Sequence, residues 1–164
     1  MSAARPDRAQ RSFPRWPGLV GTVLSLAGLG VSGYLTYEHY TGSSSLVCSD
    51  KGIVNCLEVT TSIYSKVLGI PVADLGLVFF VVMLVLQLPY VWARPDPIIR
   101  NIRMIWATVG LISALYLLYT ELFRIDAICL WCTTVHVLTF LIFASTLYAT
   151  LTYAPLDEDD LARA

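Results

Sequence analysis

Hydrophobic residues gather in four long runs along this chain, and most polar and charged residues stand between them. The runs cover about residues 18–40, 70–92, 103–122 and 127–153. Each is near or above the roughly 20 residues that a helix needs to cross the hydrocarbon core of a bilayer. The pattern predicts an all-α integral membrane protein, in which four transmembrane helices form a single bundle over residues 18–153.

The composition agrees with a membrane protein. Of the 164 residues, 56% are hydrophobic and 14% are charged, and the mean hydropathy is +0.66. A soluble domain carries about 25% charged residues. The first run follows several arginines, as in a secretory signal, but it is longer than the apolar region of a signal and lacks a small-residue cleavage site. We therefore expect it to be retained as the first helix.

The basic residues predict the orientation, because cytoplasmic segments of membrane proteins carry an excess of Lys and Arg. If the N-terminus is cytoplasmic, the cytoplasmic segments hold Arg5, Arg8, Arg11, Arg15, Arg94, Arg100, Arg103 and Arg163. The external segments then hold Lys51, Lys66 and Arg124. This arrangement predicts a basic tail at 1–17 and an acidic tail at 154–164, both cytoplasmic. A fifth span or the inverted orientation is the less favoured alternative.

The external loop at 41–69 carries two of the four cysteines, Cys48 and Cys56. From residue 53 to 67, apolar residues return at helical spacing, which predicts a short amphipathic helix. Such a helix would lie on the membrane surface as a lid over the bundle. The residues that would share its apolar face are Cys56, Val59, Ile63 and Val67.

The other two cysteines, Cys129 and Cys132, stand at the head of the fourth hydrophobic run. Residues at positions i and i+3 lie on one face of a helix, one turn apart. The start of a helix favours a thiolate, above all at the first cysteine, and so lowers its pKa. All four cysteines fall on the external side, where disulfides persist. The pattern indicates a redox centre at the outer membrane surface.

Three kinds of site remain open for the four cysteines: a relay of two exchanging pairs, two static disulfides, or a zinc site. A relay is favoured because a disulfide closed across one helical turn stabilises a fold poorly and exchanges readily with other thiols. The Gly- and Ser-rich link before Cys48 and the lid would let one pair approach the other. The spacing of Cys48 and Cys56 is too wide for half of a zinc ribbon, so we expect no metal. Since the fourth helix descends into lipid from Cys132, the electron acceptor should be lipid-soluble, and a quinone fits.

At these residues the sequence resembles the vitamin K epoxide reductase family in its bacterial form, over about residues 18–153. The matching pieces are Cys48 and Cys56 with seven residues between them, Ser62, Tyr64-Ser65, Gly69-Ile70-Pro71-Val72 and Cys129-Leu130-Trp131-Cys132. The resemblance implies a four-helix bundle that surrounds a quinone, either menaquinone or ubiquinone, and is capped by the lid helix.

The resemblance also implies an order of electron transfer. A thioredoxin-like, DsbA-like partner would pass electrons to Cys48, Cys56 would exchange with Cys129, and Cys132 would face the quinone. The protein would thereby drive disulfide formation in exported proteins at a bacterial plasma membrane. Many bacterial relatives carry a fused thioredoxin-like domain after the bundle. None follows here, so we expect the partner to act in trans.

Several further residues are candidates for the quinone site. Ser62 matches a serine or threonine that lies beside the pocket in the family. Phe79 and Trp131 are predicted as walls, or as interface anchors if they face lipid. His136 stands where the animal enzymes have a tyrosine, and it either contacts or protonates the quinone or has a packing role. Asp74 is a possible proton relay, although a carboxylate at a helix start is also favoured by the helix dipole.

Two other functions and one other ligand are weaker alternatives. A DsbB-type oxidase has its quinone-side pair in the first external loop and its shuttle pair in the second, and the order here is reversed. A membrane scaffold with two permanent disulfides would need no acceptor. His39 is predicted as an interfacial histidine, and a haem held by His39 and His136 is disfavoured by their unequal depths.

Overall fold

The computed structural model describes residues 15–42, 47–48, 52–94 and 96–153. The main helices are α1 (Trp16–Thr41), α3 (Val72–Gln87), α5 (Pro97–Thr120) and α6 (Leu130–Tyr153). The three long apolar stretches Trp16–Thr41, Pro97–Ile125 and Leu130–Tyr153 could each cross a membrane by length and composition, and α3 is a shorter apolar helix. The predicted all-α four-helix bundle is confirmed. The predicted tail at 154–164, nearly all of 1–17 and most of the Gly- and Ser-rich link lie outside the described residues.

Small residues on α1 allow the helices to approach closely. Helix α1 packs against α3 and α6, and α5 packs against both of the same helices. Gly28 on α1 is buried against the ring of Phe80, and a Cβ atom there would overlap the ring. Phe80 in turn joins Met83, Ala107 and Ile142 in the central apolar core.

The second predicted span is interrupted near its end, so the prediction of one helix over 70–92 is wrong there. Helix α3 ends at Gln87, and a short helix α4 (Pro89–Trp92) follows after Leu88. Proline lacks a backbone N–H and pushes the preceding residue out of the helical conformation. Leu88 accordingly has φ −52° and ψ 134°. The side chain of Gln87 spans the break, because it accepts from Trp92 Nε1 at 2.6 Å and donates to Thr146 on α6 at 2.8 Å.

The starts of the last two helices also differ from the predicted ones. Helix α5 begins at Pro97 and not near 103, since Asp96 caps it by accepting from the Ile98 nitrogen at 2.9 Å. Proline suits the first turn of a helix. After α5 the chain continues in a π-helical segment, Glu121–Ile125, which ends at Asp126 with a φ of 57°. Helix α6 begins at Leu130 and not at 127.

The lid is shorter than predicted. Helix α2 spans Cys56–Thr61 and ends at Ser62, whose ψ of 162° is extended. A 3₁₀ turn (Ile63–Ser65) and a two-stranded hairpin, β1 (Lys66–Val67) and β2 (Ile70–Pro71), follow.

Burial in this loop departs from the predicted apolar face. Cys56 and Val59 are buried, whereas Ile63 and Val67 are exposed. The predicted four-residue face is therefore wrong beyond Val59, because the chain leaves the helix at Ser62. The hydroxyl of Ser62 donates to the Val59 carbonyl at 2.8 Å and so helps to end the helix.

Candidate redox site

All four cysteines meet at one end of the bundle. Cys48 and Cys56 form a disulfide with a Cα–Cα distance of 6.0 Å, and Cys129 and Cys132 are free thiols. The side chains of Cys56 and Cys129 are completely buried in one small apolar cluster with Val59 and Ala127, and Cys48 and Cys132 pack against its edge. The structure thus brings together the two pairs that the sequence places far apart.

Two backbone hydrogen bonds hold the loop cysteine beside the helix cysteine. The Ile128 nitrogen donates to the Ile53 carbonyl at 2.8 Å, and the Asn55 nitrogen donates to the Ile128 carbonyl at 3.1 Å. These bonds form a parallel bridge between Val54 and Ile128. Cys56 directly follows Asn55, and Cys129 directly follows Ile128. The backbone pairing of Asn55 and Ile128 therefore holds the two cysteines in the same cluster.

Cys129 directly precedes α6, whereas Cys132 lies in the first turn of that helix. The predicted arrangement, with both cysteines on one face of a helix, is therefore not formed. The Cys132 nitrogen donates to Cys129 Sγ at 3.2 Å, and the Thr133 nitrogen donates to the Cys129 carbonyl at 2.9 Å. The sulfur therefore caps the first turn of the helix, as an oxygen does at many helix starts.

This position affects the acidity of Cys129. The hydrogen bond from the Cys132 thiol lowers the pKa of Cys129, and backbone N–H donors act in the same direction. Burial and the negative charge of Glu121 oppose that shift. The net direction is the one predicted for the first cysteine of the pair, because hydrogen bonds to a thiolate stabilise the charged form.

A cavity of about 690 Å³ extends from the cysteines into the bundle. Among the described cysteines, Cys132 is the one that lines it. The walls are mainly apolar, and α1, α3, α5 and α6 all contribute to them. Both the volume and the apolar lining are typical of pockets for small organic ligands. The residues of the structure therefore fit a flat apolar acceptor such as a quinone.

Three of the predicted quinone-site residues line this cavity: Ser62, Phe79 and His136. The ring of Phe79 stacks on Trp106 with centroids 6.4 Å apart. His136 is only 9% exposed, and its Nδ1 atom has no hydrogen-bond partner among the described residues. An unpartnered buried polar atom on a residue of the cavity wall is a candidate for a hydrogen bond to a ligand.

Two other predicted residues lie outside the lining. The Trp131 Nε1 atom donates to the Val47 carbonyl at 2.9 Å, and its ring lies 4.9 Å from that of Tyr34. Trp131 therefore contacts the segment that carries Cys48 and not the cavity. Asp74 accepts a hydrogen bond from the Tyr40 hydroxyl at 2.7 Å, which links α1 to α3.

Sequence reasoning missed two ionisable residues that line the cavity, Glu121 and His39. Glu121 is only 2% exposed, and its Oε2 atom accepts from the Cys129 nitrogen at 3.4 Å. A signal was present, because an ionisable residue at the edge of a membrane span is a functional candidate. The sequence alone predicts no role for Glu121, and it predicts His39 as an interfacial histidine. In the part of the chain that the structure describes, no cluster of three metal-binding side chains occurs.

The model of the vitamin K epoxide reductase family matches this chain over residues 19–147. The match begins in α1, ends in α6 and includes all four cysteines. Enzymes of that family are thiol oxidoreductases that reduce quinones.

Proposed function

This chain belongs to the vitamin K epoxide reductase family, and on that premise we propose that it reoxidises a thioredoxin-like partner with a quinone as the electron acceptor. Electrons pass from the partner to Cys48 and Cys56, then to Cys129 and Cys132, and then to the quinone. A single observation carries the proposal. Cys56, from the oxidised loop pair, and Cys129, from the reduced inner pair, are buried in the same apolar cluster. Membership of this family disfavours a DsbB-type oxidase.

The first step is an exchange at the loop disulfide. A thiolate of the reduced partner attacks the sulfur of Cys48, which is less buried than Cys56. A mixed disulfide forms, the Cys48–Cys56 bond breaks, and Cys56 leaves as a thiolate. The second partner thiol then releases the oxidised partner, which leaves both loop cysteines reduced.

The second step passes the electrons inward. The thiolate of Cys56 attacks the sulfur of Cys129 in an oxidised Cys129–Cys132 pair, and Cys48 completes the exchange. This step restores the loop disulfide and leaves two thiols at the helix start. A loop pair that is oxidised and an inner pair that is reduced, the arrangement in this structure, is what this step would leave.

The third step reduces the acceptor. Two thiols and a quinone become a disulfide and a hydroquinone, so two electrons and two protons move together. Cys132 lines the cavity and delivers the electrons there. With its Nδ1 atom protonated, His136 donates a hydrogen bond to a quinone carbonyl, while Phe79 packs against the ring of the quinone.

We place the protein in a bacterial plasma membrane with both termini in the cytoplasm and the cysteines outside. The excess of arginines in the predicted cytoplasmic segments supports this orientation. Arg103, whose guanidinium lies 4.0 Å from the Trp92 ring centroid, belongs to the predicted cytoplasmic end of the bundle. The partner then meets Cys48 in an oxidising compartment.

The proposal is tested by following quinone absorbance without oxygen, using the purified protein and a reduced thioredoxin-like donor. Replacing Cys129 or Cys132 with alanine should abolish turnover with any donor. Replacing Cys48 or Cys56 should abolish it with the protein donor but leave turnover with a small membrane-permeant dithiol. Full turnover by Cys132→Ala would overturn the proposed order.

A second measurement separates the proposal from a static scaffold. In a Cys132→Ala variant, mild reduction should allow a mixed Cys56–Cys129 disulfide to be trapped and identified by mass spectrometry. A scaffold with two permanent disulfides resists mild reduction and yields no such species. The matched control is Cys129→Ala, in which that bond cannot form.

A further inference from the structure

Glu121 places a buried carboxyl group between the inner cysteine pair and the cavity. Its Oε2 atom accepts a hydrogen bond from the backbone nitrogen of Cys129 at 3.4 Å. The residue also lines the cavity that Cys132 lines. Only 2% of its surface is exposed. Burying a carboxyl group has a large desolvation cost, so its presence here needs an explanation beyond packing.

The backbone around Glu121 holds the carboxyl group in this place. Glu121 begins the π-helical segment after α5, and such segments frequently occur at functional sites. Its carbonyl oxygen accepts hydrogen bonds from the backbone nitrogens of Asp126 and Ala127, the latter at 3.3 Å. The chain therefore turns back at Asp126 and returns to Cys129 beside the same residue.

The proposed chemistry requires a proton carrier at this position. Cys129 is completely buried, so water does not reach its thiol directly. When the Cys129–Cys132 disulfide forms, two S–H bonds break and two protons must leave. Cys132 faces the cavity and can release its proton there, but Cys129 does not line the cavity. Apart from its partner Cys132, the described ionisable residue that both hydrogen-bonds to Cys129 and lines the cavity is Glu121.

We propose that Glu121 is the proton carrier of the inner cysteine pair. This inference rests on the proposed function and adds a catalytic residue to it. The Glu121 carboxylate takes the proton from the Cys129 thiol as the S–S bond forms and two electrons leave for the quinone. The carboxyl group then gives that proton to a quinone oxygen in the cavity, and the second proton comes from Cys132. Glu121 ends each cycle as the carboxylate with which it began.

The other ionisable groups near this site are placed differently. The titratable groups that contact Glu121 or share its cavity are Cys129, Cys132, His136, His39, Tyr64 and Tyr116. His136 lies one turn beyond Cys132 on α6, and His39 and Tyr64 approach from α1 and the 3₁₀ turn. Among the described histidines, tyrosines and carboxylates, Glu121 is the one that hydrogen-bonds to the Cys129 backbone.

The test uses full-length protein with the inner pair reduced beforehand and mixed with a water-soluble quinone without oxygen. Glu121→Gln should slow single-turnover quinone reduction by about 10²-fold or more, as expected for a lost general base. Its remaining rate should rise with pH, because the Cys129 proton must then be lost to solvent by way of the cavity before the S–S bond forms. The quinone Kd should stay close to the wild-type value, because glutamine keeps the size and polarity of the side chain that lines the cavity. The exchange between the partner and the loop pair should stay unchanged, because it does not use the carboxylate.

Two further variants complete the design. Asp126→Asn is the matched control: it removes one negative charge from an exposed residue of the same connector, and asparagine tolerates a positive φ. It should reduce quinone at the wild-type rate. Glu121→Asp retracts the carboxyl group by one methylene, and it should be slower than wild type while keeping the wild-type pH profile. If Glu121→Gln fails to fold, the rate of Glu121→Asp tests the role of Glu121 instead.

Three results would overturn the role of Glu121. These are a wild-type rate in either Glu121 variant, a loss of rate in Glu121→Gln that is the same at every pH, and a loss that is explained by weaker quinone binding. The failure of the proposed function has a different signature. In that case wild-type protein with both pairs intact fails to reduce the quinone at all.

Discussion

The backbone nitrogen of Asn55 donates to the carbonyl oxygen of Ile128 over 3.1 Å, and this bond joins the loop to the start of the last helix. Each of the two residues directly precedes a completely buried cysteine, Cys56 or Cys129. A shift of one residue in this pairing would turn one cysteine away from the other, because successive side chains of an extended segment point to opposite sides. The bridge therefore holds Cys56 and Cys129 on the same side, as the proposed exchange requires.

Replacing Ile128 with proline should slow the transfer of electrons from the loop pair to the inner pair. Proline removes the N–H that donates to the Ile53 carbonyl at 2.8 Å, at a cost of about 1 kcal/mol for that bond. The control Ile128→Val keeps the N–H and the β-branched side chain. Rapid quenching and thiol labelling would measure how fast a reduced partner reduces the inner pair. Equal rates in the two variants would contradict a role for the bridge.

Phe79→Leu and Trp131→Phe should affect different substrates. Phe79 lines the cavity, so its replacement should raise the KM for quinone and leave the KM for the partner unchanged. Trp131 donates to the Val47 carbonyl, next to Cys48, so Trp131→Phe should change the rate with the partner and not the KM for quinone. Steady-state kinetics with each substrate varied in turn would separate the two. A raised KM for quinone in Trp131→Phe would contradict this assignment and would indicate that Trp131 contributes to the quinone site.

Removing the Cys132 thiol should raise the pKa of Cys129. The hydrogen bond from that thiol is the largest influence that lowers the pKa of Cys129, since it stabilises the thiolate. In Cys132→Ala, the thiolate fraction at a given pH therefore falls, and the alkylation profile of Cys129 moves to higher pH. Mass spectrometry after timed alkylation would measure this profile.

Thr133→Val provides the control for that measurement. Its hydroxyl donates to the carbonyl oxygen of Cys129 at 2.9 Å and not to the sulfur. The alkylation profile of Cys129 should therefore match that of wild type. A profile that stays in place in Cys132→Ala would show that the helix start alone sets the acidity.

Gly28→Ala and Gly30→Ala should have opposite effects on stability. A Cβ at position 28 meets the ring of Phe80, so we expect a cost of about 1–3 kcal/mol from overpacking. Position 30 is open space, and alanine there should stabilise α1 by roughly 0.5–1 kcal/mol. Denaturant unfolding in one detergent would compare the two variants. Equal stability would contradict the close approach of α1 and α3.

The hydrophobic runs predicted the bundle well because the relevant physics is local. A helix that crosses lipid satisfies its own backbone hydrogen bonds, so one long apolar run is sufficient to specify it. The ends of the helices were predicted less well. Pro89, Asp96 and Ser62 change the backbone within one or two residues, and a hydrophobic pattern does not resolve such changes.

The sequence by itself determined the four-helix membrane fold, the four cysteines as candidates, and Ser62, Phe79 and His136 as candidates for the cavity. Apolar runs, the Cys-x-x-Cys spacing and the resemblance to a family are all properties of the linear chain. Only the tertiary structure decided which residues contact the inner pair and which contact the loop. It placed Glu121 against Cys129 and Trp131 against Val47, because each contact joins segments whose proximity depends on backbone turns and on the pairing at Ile128.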